Sequence, residues 1–108
     1  MAKPTGQAPL RRSTRVNVGV PVRISGMLPG NKSFSEDTHA VTISKFGVKI
    51  RTQLPLSIGM QLKIQTIRSR KVAFFKVVWI GREGTPRAGE VGLEYAGEHA
   101  NVFGITFP

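Results

Sequence analysis

Two short clusters of polar residues carry the chemistry open to this chain. Arg11, Arg12 and Arg15 form Arg-Arg-Ser-Thr-Arg, and Thr42, Ser44 and Gly47 form Thr-Ile-Ser-Lys-Phe-Gly. A guanidinium forks two phosphate oxygens, hydrogen-bonds guanine O6 and N7, or lies flat on a base. Lysine would bring the charge without the planar fork. Residues two apart share one face of a strand, so the Thr42 and Ser44 hydroxyls stand side by side. Gly47 permits a turn with positive φ and a close ligand approach. The chemistry indicated is non-covalent binding of a phosphorylated ligand.

Catalytic arrangements find little support. Ser44 has no local His–acid pairing, and no two Asp or Glu residues are placed for acid–base work. His39 and His99 are far apart in the chain without clustered carboxylates, which argues against a metal site. Gly81-Arg82-Glu83-Gly84 reads as a hairpin loop, because no helix follows to make it a phosphate cradle. With no cysteine, a disulfide framework, a thiolate zinc site and a cysteine nucleophile are excluded. The expectation is a non-enzymatic protein without metal or resident cofactor.

The elements that position these residues must come from a chain of 108 residues, the size of one modest domain. A hydrophobic content of 40% with 20% charged residues is ordinary for a globular protein. Sixteen Lys and Arg against six Asp and Glu leave a net charge of +10. Such a field draws polyanions of every kind and does not choose among them. No apolar run approaches the roughly 18 residues of a membrane helix, and Met1 to Leu10 lacks the apolar stretch of a signal peptide. The chain reads as soluble and cytoplasmic.

Residues 1–10, with two prolines, a glycine and no apolar period, read as a flexible tail. From Val16 to Ile24 the pattern has period two, and Pro21 marks an edge position or a bulge. Ser25 to Ser33 reads as a turn. Further strands are predicted over Phe34–Ile43, Gly47–Thr52, Gln61–Ile67, Lys71–Ile80 and Gly89–Tyr95. Ile67 to Lys71 forms a tight hairpin and Gly81 to Gly89 a longer one. Six short strands with frequent turn signals and no helix-period window indicate an all-β sandwich or barrel. Trp79, following Val77 and Val78, is expected in the core, which leaves few outward aromatics for stacking on bases.

Taken together, these segments resemble the PilZ family, bacterial domains that bind cyclic di-GMP. Arg11 and Arg15 fit its R-x-x-x-R element. Ser44 and Gly47 fit its [D/N]-x-S-x-x-G element, with Thr42 at the acidic or amide position. Leu54-Pro55-Leu56 with Gly59 and Leu62, Lys76-Val77-Val78-Trp79, and Val91-Gly92-Leu93-Glu94-Tyr95 resemble further family segments in the same order. The likeness runs from Arg11 to about Tyr95. It implies a six-stranded antiparallel β-barrel over residues 11–108, with a flexible basic N-terminal arm.

The resemblance also implies function. Arg11, Arg12 and Arg15 would grip the phosphates and one guanine of cyclic di-GMP, and Thr42, Ser44 and Gly47 would face it from the barrel's outer surface. Leu10 in place of a basic residue implies one ligand molecule per domain. An aspartate at position 42 accepts from guanine N1–H and N2–H together, whereas threonine offers one neutral oxygen. That loss costs about 1–3 kcal/mol, or roughly one to two decades of affinity. A receptor of this kind, having no second domain to drive, acts through an unidentified protein partner. Two alternatives stay open: a degenerate PilZ-like interaction module that binds no nucleotide, and a basic barrel that binds nucleic acid.

Overall fold

The computed structural model describes residues 16–96 and 102–103, and within them six antiparallel strands close into a β-barrel. The strands are β1 (Val16–Leu28), β2 (Lys32–Ile43), β3 (Gly47–Arg51), β4 (Gln61–Thr66), β5 (Val72–Ile80) and β6 (Glu90–Tyr95). Around the barrel they run β1-β2-β3-β6-β5-β4, and β4 pairs back onto β1. Closure removes the sheet edges that would otherwise invite pairing with other chains.

Alternation makes the core. Val22 and Ile24 from β1, Val48 and Ile50 from β3, Leu62 and Ile64 from β4, and Ala73, Phe75 and Val77 from β5 point inward. Phe75 is wholly buried, with its ring 4.5 Å from that of Tyr95 and 6.5 Å from that of Phe103. Buried Val102 joins Phe103 against this core, and the Val102 backbone hydrogen-bonds Tyr95. Partial burial pushes the Tyr95 hydroxyl above the usual tyrosine range.

The first turn is shorter than the sequence predicts. Strand pairing continues through Ser25↔Ser35, Gly26↔Phe34 and Met27↔Ser33 to Leu28↔Lys32, which leaves only Pro29, Gly30 and Asn31 to turn. Gly30 and Asn31 both take positive φ, as such a tight reversal requires. Gly26 sits in a strand because the Phe34 ring covers it: a Cβ there would meet the ring at 3.1 Å. Packing of an aromatic on a bare backbone overrides the turn chemistry of Ser and Gly.

Three β-bulges interrupt the alternation, between Asn17 and Val20, Ala40 and Thr42, and Val77 and Trp79. Each re-aims the side chains that follow it. At the second, Ala40 and Ile43 both face the core while Thr42 turns outward, although simple alternation would put Ala40 and Thr42 on one face. At the third, Trp79 leaves the interior: it is 40% exposed, contrary to the expectation of a core tryptophan. Pro21 follows the first bulge, and its carbonyl accepts from Ile67 N–H where the β1–β4 ladder ends.

Candidate functional site

A groove of about 470 Å³ opens on the outer face of the barrel where β2, β3, β6 and β5 lie side by side. Strand register explains why it is there. One outward row runs from Thr42 on β2 to Lys49 on β3, Gly92 on β6 and Trp79 on β5. The next runs from Gly47 on β3 to Glu94 on β6 and Lys76 on β5. Each row contains a glycine, so the sheet lacks side chains there and larger neighbours form the walls.

The two glycines have different structural reasons. A Cβ on Gly92 would stand 3.2 Å from Trp79 Cβ and 3.5 Å from its ring carbon Cε3, so the indole packs over the bare backbone. A Cβ on Gly47 would lie 2.0 Å from the Leu93 carbonyl oxygen. Gly47 is therefore demanded by the close approach of β6. It does not adopt the positive φ expected of it.

Of the residues singled out by sequence, Thr42, Ser44 and Gly47 all line this groove. Ser44 also holds the β2–β3 turn. Its N–H donates to the Gly47 carbonyl at 2.9 Å, its hydroxyl approaches the same carbonyl at 3.5 Å, and it accepts from Phe46 N–H at 3.3 Å. A serine hydroxyl that closes a turn in this way is a common local motif. Arg11, Arg12 and Arg15, with Leu10, lie outside the described residues.

Sequence reading missed four other lining residues: Lys49, Arg87, Glu94 and the outward-turned Trp79. Lys49 and Arg87 converge on Glu90, whose side chain is only 8% exposed. Glu90 Oε1 lies 3.3 Å from Lys49 Nζ and 3.6 Å from Arg87 Nη1, while Oε2 accepts from Arg51 Nη2 at 3.2 Å. The contacts to Oε1 are ion pairs without hydrogen-bond alignment. Three cations thus share one carboxylate, and two of them, Lys49 and Arg87, line the groove. Such a site favours an anion. No local spacing signals it, because Lys49, Arg87 and Glu90 come from β3, the β5–β6 loop and β6.

The cluster has a measurable signature. Glu90→Gln should lower stability by about 1–2 kcal/mol, since removing one partner leaves the others facing like charge. That is below the usual cost of breaking a buried pair because Arg51 and Arg87 are more than half exposed. Urea denaturation should show the deficit shrink as salt is raised. A deficit that ignores salt would assign Glu90 a packing role alone.

Comparison with protein-family models finds no match for this chain, and comparison with curated proteins finds none either.

Proposed function

We propose that the barrel is a PilZ-type receptor for cyclic di-GMP, acting in the bacterial cytoplasm as a binding protein and not as an enzyme. The observation that carries the reading is the convergence of Thr42, Ser44 and Gly47 with the cations Lys49 and Arg87 and the indole of Trp79 around one groove. Cyclic di-GMP needs three things from a site: cations for two phosphodiesters, a flat surface for a purine, and hydrogen-bonding groups for its edge. The groove supplies each within reach of the others. Arg11, Arg12 and Arg15 precede β1 in the chain, and β1 pairs with β2 at Val16↔Ile43 and Asn17↔Thr42. β1 therefore begins beside Thr42, and the arginine segment is the stretch of sequence just before it. Ligand capture by that segment would change the surface offered to a protein partner.

Calorimetry with cyclic di-GMP at near-physiological salt, with GTP as control, tests this reading. Saturable binding at one ligand per chain is expected, with no comparable heat from GTP. Folded protein that gives no heat at high micromolar ligand would leave the interaction-module reading.

A second reading, a basic barrel for single-stranded nucleic acid, draws on the outward aromatics that sequence reading undercounted. Phe74 is 57% exposed on β5, directly across from Lys63 on β4 and two residues from Lys76. Aromatic faces between cations are what single-strand binding uses. Under this reading an oligonucleotide binds, its affinity falls steeply with salt, and free cyclic di-GMP does not displace it.

A further inference from the structure

We propose that the β4–β5 hairpin, with the sheet face leading into it, is a docking surface for an anionic membrane, apart from the groove and independent of the cyclic di-GMP reading. Charge is the first observation. No Asp or Glu occurs between Asp37 and Glu83, while that stretch holds nine Lys and Arg. Four of the nine, Lys63, Arg68, Arg70 and Lys71, stand exposed on β4 and its turn into β5. None of the four has an acidic partner among the described residues.

Apolar side chains are interleaved with them. Alternation turns Leu62, Ile64 and Phe75 into the core and leaves Lys63, Val72 and Phe74 outward. Ile67, Val72 and Phe74 are all exposed, and each has a cation beside it. Ile67 precedes Arg68, Val72 follows Lys71, and Phe74 pairs across the sheet with Lys63. Ion pairing marks the borders of this surface. Toward β2, Arg23 is neutralised by Asp37 at 2.7 Å, and toward β6, Lys76 stands across from Glu94.

The hairpin is held firmly. Arg70 N–H donates to the Thr66 carbonyl at 2.7 Å, Thr66 N–H to the Lys71 carbonyl at 2.9 Å, and Ile67 N–H to Pro21. Arg70 takes a φ of 59°, a conformation that glycine adopts at less cost. The turn is thus not optimised for its backbone, and what it gains is a third exposed cation beside Arg68 and Lys71.

This composition favours lipid over the other polyanions. A nucleic-acid strand stacks its bases on aromatic rings, and Ile67 and Val72 offer no such face. At a headgroup boundary, apolar area of any shape adds to the attraction of cations for anionic lipid. A second copy of this chain would bring a charge of +10 against the same cations.

Flotation of the full chain with vesicles tests the surface. Binding is expected to phosphatidylcholine and phosphatidylglycerol in equal parts, and none to phosphatidylcholine alone. A cation near such a surface contributes about fivefold, so Arg68→Gln with Arg70→Gln should weaken binding about twentyfold. Lys32→Gln with Arg82→Gln removes equal charge in other loops and should change binding by about twofold or less. Phe74→Ser should weaken it about tenfold, a loss that persists as salt is raised. Arg70→Gly keeps the test open if other variants misfold, because glycine suits that φ. It should match wild type in urea and bind about fivefold more weakly. Equal losses from the two charge pairs would reduce binding to overall charge and overturn the surface. So would Phe74→Ser that binds like wild type. A thymidine oligonucleotide that binds through Phe74, while anionic vesicles bind nothing, would overturn it in favour of nucleic acid.

Discussion

Gly47→Ala should lower the stability of the barrel by about 3 kcal/mol, the upper range of the usual overpacking penalty. The added methyl would stand 2.0 Å from the Leu93 carbonyl oxygen, a backbone atom held by pairing on both sides of β6. Relief requires β3 and β6 to part where Gly47↔Glu94 and Val48↔Leu93 pair. The melting temperature should fall by roughly 13 °C for a domain of this size. Gly19→Ala is the control, because nothing lies within 4 Å of a Cβ there and its φ is not positive. That variant should keep the wild-type midpoint. The pair carries a warning for binding studies. Loss of ligand binding in a Gly47 variant reports a damaged sheet and is not by itself a sign of a ligand contact. A Gly47→Ala protein as stable as wild type would mean that β6 yields at Leu93 without loss.

The largest effect on binding is expected from Arg11→Ala combined with Arg15→Ala. Each arginine removed deletes at least one charge-assisted hydrogen bond to phosphate or guanine, worth about 1.5–3 kcal/mol. Two together should weaken cyclic di-GMP binding by at least about a hundredfold. Lysine at both positions should recover only part of the loss, since it keeps the charge and not the fork. Urea midpoints of the variant and wild type should coincide. Unchanged affinity in the double variant would confine binding to the groove and remove the arginine segment from the account.

Much of the fold was legible in the pattern of residues. Val16, Val18, Val20, Val22 and Ile24 marked β1 by strict alternation, shorter alternations marked β3 and β4, and Gly, Pro and Asn marked several of the connections. The bulges in β2 and β5 were not legible. One extra residue at Val41 or Val78 leaves the composition of a strand intact while turning Thr42 and Trp79 outward. Trp79 was misread for that reason: its neighbours Val77 and Val78 look like core, yet only Val77 faces inward. The same holds for the groove. Thr42, Ser44 and Gly47 are close in sequence and could be grouped by spacing. Lys49, Arg87 and Glu94 line one groove, and Lys49 reaches Glu90, only because β3, β6 and the loop before β6 are neighbours in the closed barrel. Gly47 itself was noticed for the right residue type and the wrong cause. Its glycine character answers a backbone contact across the sheet, which no local pattern encodes.

The most direct test of the receptor reading uses the chain's single tryptophan, which lies in the groove. Titrating cyclic di-GMP while recording Trp79 fluorescence places the reporter on the site itself. The account predicts a saturable change in emission with one ligand per chain, matched by calorimetry and not reproduced by GTP. Calorimetric binding that leaves Trp79 emission untouched would put the ligand elsewhere on the protein. Silence in both would contradict the receptor reading.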